Sequence, residues 1–258
     1  MAGKLDGQLA VITGASAGIG EAIALALAAE GAHLVLGARR RERLEELQKK
    51  VLSIDPAIEV TVTALDVTDP ASCTAFAETA SRAGLPSILV NNAGLARGVE
   101  KVAEASEGAW REMIDTNVLG LLRLTRAFLP GMIQRGRGTI INLGSVAANE
   151  PYAGGAVYGG TKAMVAVISK SLRHELLGTG VRVSTVEPAA VETEFSEVRF
   201  RGDKGKAKQV YKGIEPLVAQ DVAEVVTFIA TRPAHVVLET VTMYPVQQAS
   251  TTAFFRKE

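Results

Sequence analysis

Three side chains in the second half of the chain have the types and spacing needed for acid–base chemistry on an oxygen atom. Tyr158 and Lys162 are four residues apart in a helical stretch, so they share one face, and Ser145 precedes Tyr158 by thirteen residues. A free tyrosine has a pKa of about 10, which a nearby ammonium lowers. Tyr158 is predicted to exchange a proton with a substrate oxygen, to which Ser145 donates a hydrogen bond. Taken alone, the pattern also describes a surface tyrosine with a helical neighbour.

The elements that position these residues are short apolar runs that alternate with amphipathic segments. Most of the runs have four to eight residues, are rich in β-branched side chains and are flanked by Gly, Asp or Pro, as in parallel strands. Helices are predicted over Ile19–Glu30, which ends at Gly31, over Arg40–Leu52, and after Asp69. The alternation predicts an α/β fold, a Rossmann-type doubly wound parallel sheet of about seven strands with helices on both faces, in a single domain over 1–258. The predicted strands are Leu9–Thr13, Leu34–Gly37, Val60–Ala64, Ile88–Asn91, Thr139–Leu143, Val181–Val186 and Val237–Tyr244.

A glycine-rich turn follows the first predicted strand, with the spacing G-x-x-x-G-x-G. Glycines let the backbone turn sharply and approach a pyrophosphate, whose charge the free N–H groups of the next helix stabilise. A strand–helix turn often contains glycine for geometry alone, but the position in the first βαβ unit favours dinucleotide binding. The residues predicted to contact the dinucleotide here are Gly14, Ser16, Gly18, Ile19 and Gly20.

The end of the second strand indicates which dinucleotide is bound. A carboxylate there would bind the ribose hydroxyls of NAD, but this chain has Ala38 followed by Arg39 and Arg40. Guanidinium groups suit a phosphate, so NADP(H) is predicted, with Arg39 the first candidate for its 2′-phosphate and Arg40 the second. The alternative is a solvated basic start of a helix, although cations at a helix N-terminus oppose its dipole.

From Gly14 to about Tyr244, this order of motifs resembles the short-chain dehydrogenase/reductase family. Asn-Asn-Ala-Gly after the fourth strand and Asp66 after the third are shared with the family. The resemblance implies that Asp66 meets the adenine amino group and that Lys162 reaches the nicotinamide ribose. It also implies a fourth catalytic residue, Asn117, which supports a proton relay through water and Lys162. The cofactor residues that it adds are Val67, Asn92, Ala93, Gly94, Tyr158, Lys162, Pro188 and Val191.

Two positions depart from the family pattern. Ala189 stands where the family usually has glycine after Pro188, and it is expected to stiffen the loop beside the nicotinamide. Ala17 stands where several NADP-dependent members have a basic residue, which leaves the 2′-phosphate to Arg39 and Arg40. Neither departure removes a reacting group.

One branch of the family shares longer segments with this chain. Pro151–Gly155, Thr193–Asp203 and Pro245–Gln248 resemble NADP-dependent serine and 3-hydroxy acid dehydrogenases, a branch that includes reductases of malonic semialdehyde and sulfoacetaldehyde. The resemblance implies a small anionic hydroxy acid, or a sulfonate analogue, as substrate. A mobile lid is expected over about residues 188–212, because this stretch follows the sixth strand. The predicted substrate residues are Ser145, Tyr152, Tyr158, Arg199 and Arg201.

Within that lid, Arg199 or Arg201 is expected to pair with the acid group of the substrate. A solvated lid with basic side chains explains the arginines equally well. Arg97, after the Asn-Asn-Ala-Gly motif, is a second candidate for the anion. The tail over about residues 246–258 carries Phe254-Phe255 and is expected to pack on a neighbouring subunit of a homodimer or homotetramer, since family members usually form these.

Composition excludes several other classes of protein. The 28 basic and 28 acidic side chains leave no net charge to attract nucleic acid or an anionic membrane. Cys73 is the only cysteine, no apolar run has the length of a membrane span, and no metal-ligand spacing is visible, so a metal-free cytoplasmic protein is predicted. Two alternatives remain: a reductase of bulkier ketones or aldehydes, and a non-catalytic NADP-binding regulator.

Overall fold

The strands of the protein form one parallel sheet of seven strands and a separate pair of two short strands. A computed structural model describes residues 3–257. In the large sheet the order is β3-β2-β1-β4-β5-β6-β9, and β7 pairs with β8. The strands are β1 Leu9–Thr13, β2 His33–Ala38, β3 Val60–Ala64, β4 Ile88–Asn91, β5 Gly138–Leu143, β6 Val181–Pro188, β7 Val191–Glu192, β8 Leu217–Val218 and β9 Thr240–Met243.

Local signals in the sequence mark the start of the third helix and the end of the first. Asp69 caps the third helix by accepting a hydrogen bond from the Ala71 amide at 2.9 Å, with proline at the first helical position. Gly31, just after the first helix, has a φ of 88°, which a glycine adopts without strain. The helices are α1 Gly18–Ala29, α2 Arg41–Ile54, α3 Pro70–Ala83, α4 Glu107–Ile114, α5 Leu121–Gln134, α6 Ala156–Glu175, α7 Phe195–Arg199, α8 Lys204–Tyr211 and α9 Ala219–Ala230.

Both faces of the large sheet are covered by helices. Successive side chains of a strand point to opposite faces, and β1 shows this directly. Ala10 and Ile12 belong to the core cluster under α1, α2 and α9, whereas Leu9 and Val11 belong to the cluster under α3 and α5. The predicted fold class, a doubly wound parallel sheet of seven strands, is therefore confirmed.

The strand order indicates at which edge of the sheet a ligand is expected to bind. The chain runs outward from β1 to β3, then returns to β4 on the other side of β1. In such sheets the crevice lies beyond the carboxyl ends of the strands at this reversal. The glycine turn after β1 and the Asn-Asn-Ala-Gly motif after β4 both lie there.

Three regions differ from the simple alternation. A π-helical turn, Asp115–Gly120, joins α4 to α5. The last strand covers Thr240–Met243 and is shorter than the predicted Val237–Tyr244. The predicted lid contains α7, α8 and β7, so it is largely ordered secondary structure. Within the described residues, no helix is both long and apolar enough to cross a membrane.

The C-terminal tail folds against its own chain. The Lys257 amide donates a hydrogen bond to the Gly213 carbonyl at 2.7 Å, and the Arg256 guanidinium donates to the carbonyls of Val210 and Lys212, beside α8. The tail thus lies on the lid of the same chain, a packing that the sequence had not indicated. Met1, Ala2 and Glu258, which were included in the predicted domain and tail, lie outside the described residues.

Candidate active site

Tyr158 and Lys162 lie on the buried side of α6, and Ser145 lies at the end of the neighbouring strand β5. Ser145 caps a short 3-10 turn, Val146–Ala148, by accepting a hydrogen bond from the Ala147 amide at 3.2 Å. The Lys162 Nζ atom donates to the Leu143 carbonyl at 2.7 Å and lies 6.0 Å from the centre of the Tyr158 ring. All three side chains line one cavity, so the structure brings the predicted reacting groups together.

The titration behaviour of Tyr158 differs from the prediction. Burial disfavours the phenolate and raises the pKa of Tyr158 above its ordinary value, while the Arg199 guanidinium and a hydrogen bond with Ser145 act in the opposite direction. Burial also lowers the pKa of Lys162 to about 8. The nearby Lys162 ammonium was expected to lower the pKa of Tyr158, but burial outweighs the favourable charge and the pKa is raised. The cation that favours the phenolate is Arg199.

Asn117 occupies the π-helical turn and is buried. Its Oδ1 atom accepts a hydrogen bond from the Leu95 amide at 2.8 Å, and its Nδ2 atom donates to the Leu95 carbonyl at 2.8 Å and to Thr161 Oγ1 at 3.0 Å. A Cβ atom on Gly94 would lie 3.3 Å from Asn117 Oδ1 and 3.5 Å from Lys162 Nζ. Asn117 is therefore close to Lys162, although it does not line the cavity itself.

The glycine turn approaches the loop after β4 closely. Gly14 has a φ of 67°, and a Cβ atom there would lie 2.9 Å from both the Ala93 Cα and the Asn92 Nδ2 atoms, so a larger residue is excluded. Asn92 Nδ2 donates to the carbonyls of Thr13 and Gly14 at 2.9 and 3.1 Å. Helix α1 begins at Gly18 with no side-chain cap. Its first N–H groups are thus oriented for an anion such as a pyrophosphate.

Arg39 and Arg40 have different surroundings. The Arg40 guanidinium donates to Glu194 Oε2 at 2.8 Å and to Ser16 Oγ at 3.2 Å, so it joins the glycine turn to the lid. Arg39 lines the cavity, and among residues 3–257 it has no hydrogen bond or ion pair. Arg40 is thus engaged by protein groups, whereas the Arg39 side chain faces the cavity.

Asp66 lies at the same end of the cavity. Its Oδ1 atom accepts hydrogen bonds from the Thr68 amide at 2.9 Å and the Thr68 hydroxyl at 2.7 Å. Partial burial raises the pKa of Asp66, but these hydrogen bonds outweigh it and leave the pKa below its ordinary value. Asp66 is therefore an ionised acceptor, as a contact to an amino group requires.

Most of the predicted site residues line one cavity of about 570 Å³ at the carboxyl edge of the sheet. Asn117 and Gly20 lie behind its wall; a Cβ on Gly20 would lie 2.4 Å from the Gly14 carbonyl oxygen. The predicted residues that line the cavity are Gly14, Ser16, Gly18, Ile19, Arg39, Arg40, Asp66, Val67, Asn92, Ala93, Gly94, Ser145, Tyr152, Tyr158, Lys162, Pro188, Val191 and Arg199.

The two arginines predicted to contact the substrate, Arg199 and Arg201, have different positions. The Arg199 guanidinium lies 5.4 Å from the centre of the Tyr158 ring and 5.2 Å from that of Phe195, and its buried Nε atom has no hydrogen-bond partner. Arg201 is exposed, has a φ of 52° and lies outside the cavity. Of the two arginines predicted to pair with the substrate acid, the structure places Arg199, and not Arg201, at the cavity.

Arg97 is also unavailable to a ligand. Its guanidinium donates two hydrogen bonds of 2.6 Å to the Glu112 carboxylate and one of 2.6 Å to the Val198 carbonyl. Since Val198 lies in α7 and immediately precedes Arg199, the hydrogen bond from Arg97 to the Val198 carbonyl holds α7 in position. Arg97 is thus a positioning residue, and its prediction as an anion partner is wrong.

Sequence reasoning missed several residues of the site. The Thr13 hydroxyl accepts hydrogen bonds from the amides of Asn92 and Ala93 at 3.1 and 3.0 Å. Thr161 bonds Asn117, and Phe195 packs on the Tyr158 ring. A threonine directly before a glycine turn was a usable signal. Nothing local in the sequence marked Thr161 or Phe195, whose partners are distant along the chain.

This geometry matches proteins of known family. Residues 8–204 match the family model for short chain dehydrogenases. The chain belongs to the short chain dehydrogenase family. The predicted resemblance is confirmed.

Individual members of this family are similar over nearly the whole chain. An NADP-dependent 3-hydroxy acid dehydrogenase of Escherichia coli (strain K12) is 45% identical over 249 residues, which cover 94% of this chain and 96% of the relative. Another, of Schizosaccharomyces pombe (strain 972), is 41% identical over 257 residues, which cover 99% of each. The closed form of a serine dehydrogenase complexed with NADP+ superposes with a TM-score of 0.90 at 43% identity, covering 97% of this chain and all of that one.

Proposed function

We propose that this family member is an NADP(H)-dependent oxidoreductase that interconverts a small hydroxy acid, or its sulfonate analogue, with the corresponding carbonyl compound. The observation that carries the proposal is the position of Arg199, a cation in the same cavity as Tyr158, with a buried Nε atom that has no partner. The similarity to NADP-dependent 3-hydroxy acid and serine dehydrogenases supports both the cofactor and the substrate class.

The residues of the cavity fit a dinucleotide phosphate. The uncapped start of α1 and the close approach at Gly14 suit a pyrophosphate, and Arg39 is available for a 2′-phosphate. When bound, the nicotinamide supplies or accepts the hydride at the reacting carbon. Asn92, Ala93 and Gly94 would lie along it beyond β4.

Side chains of the protein transfer the proton to and from the substrate oxygen. During carbonyl reduction the Tyr158 hydroxyl gives its proton to the substrate oxygen, and in alcohol oxidation the phenolate takes it back. Because burial raises its pKa, the resting residue is the protonated acid, ready for reduction. The Ser145 hydroxyl stabilises the charge that develops on the same oxygen. The Arg199 guanidinium supplies positive charge that favours the phenolate in this buried place, and the Lys162 ammonium lies 6.0 Å from the centre of the same ring.

An anionic substrate is favoured by the charge at Arg199. A guanidinium away from water gains most from a carboxylate or sulfonate that approaches it with two oxygen atoms. Within the described residues, no carboxylate forms an ion pair with Arg199; its one recorded side-chain hydrogen bond is a long contact of 3.5 Å to the Tyr152 hydroxyl. The substrate acid would fill this position.

The proposed function is tested by oxidising a panel of alcohols with NADP and, separately, with NAD. The absorbance of the reduced nicotinamide measures the rate. The panel holds L-serine, L-allo-threonine, 3-hydroxypropionate, 3-hydroxyisobutyrate, isethionate and a neutral secondary alcohol. Turnover of the acids with NADP is the expected result. Turnover of the neutral alcohol alone would overturn the substrate class and favour a reductase of bulkier ketones. No turnover with purified, NADPH-binding protein would favour a regulator.

Replacing Arg199 with methionine should raise KM for the acids by about 10- to 100-fold, since it removes one partner of a charged pair. KM for a neutral alcohol should change little. Arg201→Met is the matched control, because Arg201 is exposed and outside the cavity. Steady-state kinetics on both substrates checks this. Equal losses for acid and neutral alcohol, or the same effect from Arg201→Met, would contradict the role given to Arg199.

NADPH binding is expected to weaken above pH 8. Burial lowers the pKa of Lys162 to about 8, so its ammonium form, which attracts the anionic cofactor, is lost as the pH rises through that value. The Kd from nicotinamide fluorescence should therefore increase above this point, by at most about tenfold per pH unit. In Lys162→Met the increase should vanish. An equally steep rise in that variant would assign the titration to another group.

We also propose that the protein forms a homo-oligomer. Large apolar side chains are exposed on α6, at Met164 and Val167, and on α9, at Phe228. Such surfaces commonly cover one another between subunits. Light scattering of the purified protein would test it, and a monomer at micromolar concentration would count against it.

A further inference from the structure

The C-terminal tail forms part of the lining of the cavity. Phe254 lines the cavity together with Gln248 and Thr251 of the same tail. Its neighbour Phe255 points away and is 70% exposed. One ring of the Phe254-Phe255 pair therefore faces the interior, and the other faces solvent.

The tail is held as a hairpin. Gln248 and Phe254 form an antiparallel bridge, with the Ala249 amide bonded to the Ala253 carbonyl at 2.9 Å and the Phe255 amide to the Gln247 carbonyl at 2.8 Å. These bonds pair residues on both sides of a short turn, so the position of Phe254 is defined by more than its own packing.

Three connections attach this hairpin around the substrate end. The buried Gln248 side chain accepts a hydrogen bond from the Ala190 amide at 3.0 Å, just beyond β6. The Thr251 amide donates to Glu150 at 2.9 Å, two residues before Tyr152. The Arg256 guanidinium, bonded to the Val210 carbonyl, stacks 4.8 Å from the centre of the Phe254 ring.

These attachments place Phe254 far from the adenosine end. Arg39 and Asp66 follow β2 and β3 at one side of the sheet, whereas Ala190 follows β6 near the other side. Tyr152, Tyr158, Arg199 and Tyr211 line the same cavity. Phe254 thus borders the cavity on the side of β6, away from β2 and β3.

We infer that Phe254 sets the size limit of the substrate, as a wall that excludes hydroxy acids with a longer carbon chain. The inference rests on the proposed function and adds to it a limit on the length of the substrate, which Arg199 does not set. Arg199 selects the acid group, and Phe254 selects the length of the remainder. Each added methylene that collides with a rigid wall costs about tenfold or more in kcat/KM.

The test is the ratio of kcat/KM for 3-hydroxyhexanoate to that for 3-hydroxybutyrate, with NADP. Both are secondary alcohols with the same acid group, so the ratio reports chain length alone. Phe254→Ala should raise the ratio about tenfold or more, and Phe254→Trp, which keeps an aromatic ring for Arg256, should lower it. Phe255→Ala is the matched control and should leave it within about twofold. Thermal melting and NADPH fluorescence verify that each variant is folded and binds cofactor.

The outcomes separate the two proposals. Suppose that the wild-type protein oxidises 3-hydroxybutyrate but both Phe254 variants have the same ratio of the two kcat/KM values as the wild type. The size role of Phe254 is then overturned and the proposed function stands. The same holds if Phe255→Ala shifts the ratio as much as Phe254→Ala. If the NADPH-binding wild-type protein oxidises no hydroxy acid, the proposed function is overturned and this inference falls with it.

Discussion

Replacing Tyr158 with phenylalanine should lower kcat for carbonyl reduction by about 1000-fold, within the range typical of a lost general acid. The substitution removes only the hydroxyl that gives its proton to the substrate oxygen. The ring, which packs 5.8 Å from that of Phe195, remains. Steady-state and single-turnover kinetics with NADPH measure the loss, and nicotinamide fluorescence should show a Kd for NADPH within about twofold of the wild type.

Tyr152→Phe is the matched control for this variant. Tyr152 lines the same cavity and makes only a long contact of 3.5 Å to Arg199. It should therefore change KM for acids modestly and leave kcat nearly unchanged. A Tyr158→Phe enzyme that retains a tenth or more of wild-type kcat would move the acid role to another group in the cavity.

Replacing Arg39 with leucine should raise the Kd of NADPH by about 10- to 100-fold, which corresponds to losing charge-assisted hydrogen bonds of about 1.5–3 kcal/mol. The Kd of NADH, which has no 2′-phosphate, should change little. Arg39 carries this expectation because its guanidinium lines the cavity without a protein partner in the described part of the chain. Fluorescence titrations with both cofactors give the two constants.

The control for Arg39 lies two residues further along. Arg41→Leu removes an arginine of the same segment that is exposed and paired with Glu45 at 2.9 Å, so it should leave both constants unchanged. Arg40→Leu should have a smaller effect than Arg39→Leu, because Arg40 is already engaged by Glu194 and Ser16. A larger effect at Arg40 would reverse the assignment, and equal losses for NADPH and NADH would remove the 2′-phosphate role.

Local signals in the sequence predicted the sheet and its ligand-binding edge well. The β-branched runs become parallel strands because a sheet covered on both faces buries both rows of side chains. Leu9–Thr13 and Val60–Ala64 were predicted with the bounds that the structure gives. The glycine turn was equally readable, since Gly14 and Gly18 have positive φ values that other residues adopt at a cost.

Contacts between distant segments could not be predicted in this way. Arg97 and Arg199 look alike in the sequence, and only packing shows that one is neutralised by Glu112 while the other faces the cavity. Arg40 meets Glu194, which is 154 residues away. The raised pKa of Tyr158 depends on how completely its surroundings exclude water, a property of the folded cavity that spacing along α6 does not contain.

The π-helical turn at Asn117 determines the direction in which the buried face of α5 points relative to that of α4. Helix α4 buries Ala109 and Met113, and α5 buries Leu124 and Phe128, on either side of Asp115–Gly120. A π-turn carries one residue more than an α-helical path would, and one residue corresponds to about 100° of rotation. Deleting a single residue from the turn would leave two regular helices, each acceptable by itself. Their buried faces would then point in directions that the sheet and α6 cannot accept together.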